Sequence, residues 1–319
     1  MIRKLSIPLL LYVAVTSARA AGPTIAIDAA SPAGNVSRLF YGLMTEEINH
    51  AYDGGLYAEL VQNRAFLDDA AAPAHWAVVE GEGAAAAIAL DKSQPLNDTI
   101  RTSLRLDVTQ ASKAHAAGMA NDGYWGIPVK PNTRYRATFY AKAAPGFGGS
   151  VAVSIQSNDG KTIYASGTVV GVTGTWKQYE VTLQSGSVTP TTAARYVLAV
   201  DRPGTVWLGL VSLFPPTFKN QPNGFRTDIM QMMVDMKPKF LRFPGGNYLE
   251  GDQIADRFEW KKTIGPLSDR PGLIVMISSD MEEILNMSDR VAVMHEGAIT
   301  GALARGECTE ERIMTLAVG

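Results

Sequence analysis

A long series of short alternating segments lies between residues 70 and 212 and restricts this part of the chain to β-structure. Alternation of apolar and polar residues with a period of two is the pattern of a half-buried strand. It recurs at residues 103–108, 135–140, 151–155, 179–183 and 206–210. Turn-forming residues separate these segments, as in Lys130-Pro131-Asn132 and Asn158-Asp159-Gly160. The spacing predicts a β-sandwich over residues 70–212.

The segment before this sandwich, residues 21–69, has the pattern of a βα unit. The apolar run from Leu39 to Met44 predicts a buried strand. Asp53-Gly54-Gly55 then supplies a turn, and the apolar residues that follow recur at the helical period: Leu56, Leu60 and Val61. We therefore expect a strand, a loop and a helix here.

The segment after the sandwich, residues 213–272, returns to the same kind of pattern. Apolar residues between Arg226 and Met236 form a helical stripe, which Pro238 ends. The run from Lys239 to Phe243 then predicts a short buried strand. Because βα patterns stand on both sides, we expect a mixed α/β domain of βα repeats that carries the all-β sandwich as an insertion.

The first twenty residues have the layout of a secretory signal peptide. Arg3 and Lys4 precede an apolar run from Leu5 to Val15, and Ala18-Arg19-Ala20 supplies a cleavage site of small residues. The apolar run is shorter than the roughly 20 residues that a membrane-spanning helix needs. We expect residues 1–20 to be removed, and the mature chain to be secreted or periplasmic without a membrane partner.

Charge and cysteine content exclude several kinds of site. The chain has 29 Lys and Arg residues against 31 Asp and Glu residues, and this balance argues against nucleic-acid binding. One cysteine, Cys308, excludes an internal disulfide and a zinc site of several cysteines. The four histidines are scattered along the sequence, so we expect no metal site.

Polar residues follow two of the predicted barrel-type strands. Glu46 comes just after the strand that ends near Met44, where a carboxylate can accept hydrogen bonds from sugar hydroxyls. Gly245, Gly246 and Asn247 follow the second strand, and two glycines let a backbone approach a ligand closely. From the residue types alone, a solvated loop charge at Glu46 and a plain turn at Gly245–Asn247 remain open.

Taken together, these segments resemble the N-terminal part of glycoside hydrolase family 51, the α-L-arabinofuranosidases. The resemblance rests on Leu39-Phe40-Tyr41-Gly42 with Glu46, on residues 53–60 and 62–66, on residues 237–251, and on residues 260–266 and 270–272. It implies a (β/α)₈ barrel, here partial, and retaining hydrolysis of arabinose-containing polysaccharides without a cofactor. It also implies that Glu46 and Asn247 contact the sugar.

The resemblance does not supply the catalytic pair. Retaining hydrolysis needs two carboxyl groups about 5–5.5 Å apart. In the family the acid/base glutamate follows an asparagine, and this sequence contains no Asn-Glu dipeptide. We therefore expect no catalytic residue in the chain, which would be truncated before both glutamates and inactive alone.

The predicted sandwich offers a second interpretation, a non-catalytic carbohydrate-binding module. Its tryptophans could stack on sugar rings, although most tryptophans in a sandwich belong to the core. Tyr124 and Trp125 are the best candidates because they lie in a glycine-bearing stretch outside the alternating segments. Trp176 and Trp207 are the other candidates.

Residues 273–319 have a different pattern. They predict a strand at residues 273–277, a helix that begins near Ser279, a hairpin around Glu296-Gly297 and a last helix from Arg312 to Val318. The run from Val275 to Gly297 resembles the C-terminal end of ribose-type ABC transporter ATPases. The sequence contains no G-x-x-x-x-G-K-[ST] phosphate loop, so we expect no ATP binding.

The two resemblances conflict in cellular location, because such ATPases act in the cytoplasm and a signal peptide exports its chain. We therefore interpret the sequence as a chimera joined at Gly272-Leu273. An ATPase fragment is the weakest of the three functional hypotheses.

Overall fold

The structure is a computed structural model that describes residues 40–44, 50–242, 266–270, 290–295 and 298–318, together with Ile25, Ala30, Gly34 and Ser37. Several predicted features lie outside the described residues. They are the signal peptide, Glu46, Gly245, Gly246, Asn247, the strand at residues 273–277 and the helix near Ser279.

Two five-stranded sheets form the central part of the chain. Their strands are β2 Trp76–Glu80, β3 Ala85–Asp91, β4 Ser103–Gln110, β5 Ala117–Asn121, β6 Arg134–Ala143, β7 Val151–Ser157, β8 Ile163–Val169, β9 Lys177–Gln184, β10 Ala194–Val200 and β11 Gly204–Phe214. The first sheet has the order β2-β5-β10-β7-β8 and the second sheet β3-β4-β11-β6-β9, and neighbouring strands pair antiparallel. The five alternating segments of the sequence are all strands here.

Side chains from both sheets meet in one hydrophobic core. Met119 and Leu198 come from the first sheet and Leu106, Phe139 and Leu208 from the second, and each is at most 2% exposed. Burial of such a side chain contributes roughly 1.5–3 kcal/mol. The alternating pattern therefore arises because one face of each sheet is sealed in this core, which makes the central part a β-sandwich.

The strands on either side of the sandwich pair with each other. Strand β1, Leu43–Met44, lies parallel to β12, Leu241–Arg242, with Leu43 opposite Leu241. The strand predicted within Leu39 to Met44 is confirmed at Leu43–Met44. Its predicted burial is wrong for the residues described, since Phe40 is 78% and Met44 57% exposed. Among the described residues, β1 pairs only with β12. The apolar side chains around β1 therefore have few neighbours to pack against.

The predicted helix around Leu56 to Val61 is also wrong. Tyr52–Leu56 form a turn in which Gly54 has φ +80° and Gly55 ψ −106°, conformations that a helix does not contain. The chain after this turn is extended: Ala58 N–H donates to Gly224 O, and Leu60 N–H donates to Leu213 O. Leu56 and Val61 are thus apolar because they are buried in an extended segment, and their spacing matches that of a helix by coincidence.

The helix after the sandwich is confirmed. Helix α1 spans Thr227–Asp235, close to the predicted stripe from Arg226 to Met236, and ends before Pro238. Met230 is the buried residue of this helix, whereas Met232 is 68% exposed.

The C-terminal hairpin and helix are confirmed as well. Strands β13, Arg290–His295, and β14, Ala298–Ala304, pair antiparallel, and helix α2 spans Glu310–Val318. Val293, Leu303 and Ile313 form a small core between the hairpin and α2. Among the helices that the structure describes, none is long and apolar enough to cross a membrane.

Candidate functional site

The strands that precede the predicted sugar-binding residues lie side by side. β1 precedes Glu46 and β12 precedes Gly245 to Asn247. Because β1 and β12 are parallel neighbours, the chain leaves both strands at the same edge of the pair. In barrel enzymes, this carboxyl edge carries the substrate site.

His50, on the chain that follows β1, forms an aromatic cluster with Tyr124 and Trp125 from the loop between β5 and β6. The His50 ring centroid is 5.0 Å from that of Tyr124 and 5.7 Å from that of Trp125, and both contacts are edge-on. The Tyr124 and Trp125 centroids are 6.1 Å apart. Trp125 is 66% exposed, so much of its ring is open to a ligand. The two predicted stacking residues thus contact His50, and Tyr124 also contacts Gly54, on the segment that precedes the sandwich.

Glycines make the close packing of the aromatic cluster possible. Gly54 lies against the face of the Tyr124 ring, and a Cβ atom at Gly54 would overlap that ring. Gly126, directly after Trp125, has φ +87° and packs against Thr192 O in the same way. These contacts fix the loop between β5 and β6 against the rest of the protein.

Asn121, which the sequence did not single out, holds the base of the same loop. It is fully buried at the end of β5. Its Oδ1 accepts hydrogen bonds from the amides of Gln62 and Gly123 at 3.2 and 3.0 Å. Its Nδ2 donates to Gln62 O and His75 O at 2.9 and 3.0 Å. The signal available in the sequence was a polar residue directly after the uncharged run Ala117–Ala120.

A second polar group, Glu59 with Arg64, is buried where the extended segment meets β11. Glu59 Oε1 accepts the amides of Val61 and Leu213 at 3.1 and 2.8 Å. Glu59 Oε2 lies 4.0 Å from Arg64 Nη1 and has no hydrogen-bond partner among the described residues. Burial raises the pKa of Glu59 to about 7, although Arg64 acts in the opposite direction. The Glu59 side chain is 0% exposed, so it joins two segments of the fold and is closed to substrate.

Burial also raises the pKa values of two other ionisable groups, Asp53 and Tyr196. Burial raises the pKa of Asp53 to about 6, with Arg64 opposing the shift. Burial and the nearby Glu59 charge raise the pKa of Tyr196, whose hydroxyl is buried and without a hydrogen-bond partner among the described residues. Within the described ranges, no group of three or more His, Cys, Asp and Glu side chains is arranged to hold a metal ion.

Comparison with protein families gives two matches. A model for an α-L-arabinofuranosidase 1 domain matches residues 232–292, and a model for a carbohydrate binding domain matches residues 58–202. The first match continues past the predicted joint at Gly272-Leu273. The second coincides with most of the β-sandwich.

Curated relatives and a solved structure agree with these matches. The chain is 37% identical over 255 residues to the probable α-L-arabinofuranosidase A of Aspergillus flavus, covering 78% of this chain and 39% of that protein. It is 34% identical over 260 residues to α-L-arabinofuranosidase 1 of Arabidopsis thaliana, covering 78% and 37%. The solved structure of the arabinose-bound α-L-arabinofuranosidase MgGH51 superposes with a TM-score of 0.68 at 37% identity, covering 76% of this chain and 40% of that one.

The chain therefore spans about two fifths of the length of the relatives it matches. In sequence and in fold, its N-terminal region matches the family 51 α-L-arabinofuranosidases and includes a carbohydrate-binding-like β-sandwich.

Proposed function

We propose that this chain is the sugar-binding N-terminal part of a retaining α-L-arabinofuranosidase that acts on arabinose-containing plant polysaccharides. The observation that carries this proposal is the aromatic cluster, in which the exposed Trp125 ring is held beside the chain that follows β1. Aromatic faces next to hydroxyl-binding polar groups are typical of sites for small polar ligands. The relatives at 34–37% identity support the substrate class.

Glu46 and Asn247 complete the proposed site. Glu46 is four residues before His50 in the sequence, and Asn247 is five residues after Arg242 at the end of β12. In this proposal the Glu46 carboxylate accepts hydrogen bonds from arabinose hydroxyls, while the Asn247 amide can both donate and accept. Gly245 and Gly246 let the backbone approach the sugar.

The residues of this chain bind arabinose in this proposal but do not hydrolyse it. Retaining hydrolysis needs a proton donor and a nucleophile on two carboxyl groups. The buried Glu59 cannot serve, and the sequence has no Asn-Glu dipeptide at which the family places its acid/base. We expect the purified chain to release no p-nitrophenol from p-nitrophenyl α-L-arabinofuranoside above the rate of its Glu46→Ala variant. Turnover that Glu46→Ala abolishes would contradict this part of the proposal.

Replacing Trp125 by Ala is expected to weaken binding of α-1,5-linked arabinotriose at least about tenfold, because the exposed ring supplies the stacking surface. Trp125→Phe should retain most of the affinity. Val170→Ala removes another exposed apolar side chain, 74% exposed, and should change nothing. Isothermal titration calorimetry on the full chain measures all four proteins. Equal affinity of wild type and Trp125→Ala would exclude the aromatic cluster as the binding site.

A second candidate function is non-catalytic carbohydrate binding by the sandwich alone. The match of residues 58–202 to a carbohydrate binding domain favours it. The two candidates differ at Glu46, which lies outside the sandwich. Weaker arabinotriose binding by Glu46→Ala supports the arabinofuranosidase site, whereas unchanged binding supports a separate module.

We further propose that residues 1–20 export the chain. We also propose that residues 273–319 derive from a sequence of the sugar-importing ATPase type, although the arabinofuranosidase 1 domain model overlaps this range at residues 273–292. The β13–β14 hairpin and helix α2 support an autonomous small unit at the C-terminus, since they share their own core. The absence of a phosphate loop from the sequence supports a chain without ATP binding, and its charge balance one without nucleic-acid binding.

A further inference from the structure

The sequence contains one Asn-Gly pair, Asn223-Gly224, in the loop between β11 and α1. An asparagine before a glycine is open to attack on its side-chain amide, because glycine has no Cβ atom to shield its backbone nitrogen. The nitrogen of Gly224 can then bond to Cγ of Asn223 and close a five-membered ring. In a folded protein, this reaction depends on the hydrogen bonds that each of the two groups makes.

The backbone N–H of Gly224, the attacking group, donates no hydrogen bond among the residues that the structure describes. Two Asp-Gly pairs of the chain differ in this respect. Gly123 N–H donates to Asn121 Oδ1 at 3.0 Å, and Gly160 N–H donates to Ser157 O at 2.8 Å. A hydrogen bond of this kind must be broken before the nitrogen can attack. The nitrogen of Gly224 is therefore available where those of Gly123 and Gly160 are not.

The group under attack, the Asn223 side-chain amide, lies beside a cation. Arg136 in β6 donates from Nη1 to Asn223 Oδ1 at 3.4 Å. Arg136 is itself held by Glu180, since its Nη2 donates to Glu180 Oε2 at 2.8 Å. When the Gly224 nitrogen attacks Cγ, negative charge develops on Oδ1, and a positively charged donor stabilises that charge. The fold thus supplies both an available nucleophile and stabilisation of the oxyanion at one dipeptide.

We propose that Asn223 is a site of spontaneous covalent modification in the folded protein. The Gly224 nitrogen forms a bond with Asn223 Cγ, and the bond from Cγ to the amide nitrogen breaks. That nitrogen leaves as ammonia, which carries away the proton of the Gly224 N–H, and a succinimide ring remains. Water then opens the ring at one of its two carbonyl carbons. The products are aspartate and isoaspartate at position 223, and no oxidant or reductant takes part.

Both products change contacts that join the loop to its neighbours. Each places a carboxylate beside Arg136, where it competes with Glu180 for that cation. In isoaspartate the main chain also runs through the side-chain carbon, which lengthens it by one bond of about 1.5 Å. Gly224 O accepts the amide of the buried Ala58 at 3.1 Å, and the longer chain displaces this oxygen. Isoaspartate is therefore expected to lower the unfolding midpoint of the protein.

The test is timed incubation of the full folded chain at mildly alkaline pH in water enriched in oxygen-18, followed by trypsin digestion and mass spectrometry. Trypsin releases residues 220–226 as one peptide. We expect this peptide to gain about 3 Da, because an amide becomes a carboxylic acid that carries one heavy oxygen. Fragment ions assign the gain to Asn223 rather than Asn220, and chromatography separates the two products. Asn158 is the internal control, because it is exposed but precedes Asp159, and it should stay unchanged.

Two arginine variants test the role of the cation. Arg136→Met removes the donor beside Asn223 Oδ1 and should slow conversion of the folded chain at least about tenfold. Arg134→Met, two residues earlier in β6 and exposed, is the matched control and should convert as fast as wild type. In urea all three proteins should convert at one rate, because unfolding removes the contact with Arg136. Asn223→Gln should not convert, and its unfolding midpoint should stay constant during the incubation.

Three results would overturn the inference. Conversion in urea without conversion of the folded chain would show that the fold protects Asn223. Equal rates for folded wild type and Arg136→Met would show that the cation does not stabilise the reaction. An unfolding midpoint that falls equally in wild type and Asn223→Gln would place the cause at another residue. Each of these results leaves the arabinotriose measurements, and so the proposed function, to be decided independently.

Discussion

Replacing Glu59 by Gln is expected to make the protein about 2–3 kcal/mol more stable at pH 8, with little change near pH 4.5. Glutamine keeps an oxygen that can accept the amides of Val61 and Leu213 at the Glu59 Oε1 position. It removes the negative charge that burial penalises. The variant is therefore expected to lack a pH dependence that the wild-type protein has.

The direction of this effect follows from the raised pKa. Burial moves the pKa of Glu59 from 4.5 to about 7. At a pH between these two values, Glu59 is therefore protonated in the native state but ionised in the unfolded state. The free energy of unfolding therefore falls as the pH rises from about 4.5 to 7 and changes no further from this group above that range. The Arg64 charge, 4.0 Å from Oε2, reduces the penalty without removing it.

Urea unfolding of wild type and Glu59→Gln at several pH values measures the difference that belongs to Glu59 alone. Glu180→Gln is the matched control, because Glu180 pairs with Arg136 at the surface and its side chain is 54% exposed. This control should change stability by less than about 1 kcal/mol at every pH. A difference between wild type and Glu59→Gln that does not grow between pH 4.5 and 8 would mean that Glu59 is not buried as described.

The β-sandwich was predictable from the sequence wherever a strand buries only one of its two faces. The alternating segments became β4, β6, β7, β9 and β11 because their apolar residues enter one core. β5 was missed because its residues, Ala117–Asn121, are all buried and therefore show no alternation. β3 was missed because its alanines carry little periodic signal.

The candidate site was predictable only where local sequence carries the information. Tyr124 and Trp125 stand out because aromatic residues between glycines do not fit a strand. The role of Glu59 depends on Leu213, 154 positions away, and no local pattern shows that contact. The same limit explains the false helix after Gly55, because Leu56 and Val61 are buried by partners from distant parts of the chain.

Replacing Gly126 by Ala is expected to destabilise the protein by about 3 kcal/mol or more. Gly126 has φ +87°, a conformation that costs an L-residue with a side chain about 1–2 kcal/mol. A Cβ atom there would also overlap Thr192 O, so the backbone must shift, and overpacking of this kind typically costs about 1–3 kcal/mol more. Because Trp125 is the preceding residue, we expect arabinotriose binding to fall as well.

The Gly83→Ala variant separates the cost of the positive φ from the cost of the overlap with Thr192 O. Gly83 has φ +70°, but a Cβ atom there would meet nothing within 4 Å, so this variant should lose only about 1–2 kcal/mol and keep full arabinotriose binding. Chemical unfolding of both variants measures the change in the free energy of unfolding, and calorimetry measures the change in arabinotriose affinity. If Gly126→Ala loses no more stability than Gly83→Ala, the loop between β5 and β6 can move away from Thr192 at little cost. The orientation of Trp125 would then not be fixed before the sugar binds, and the aromatic cluster would have to form around its ligand.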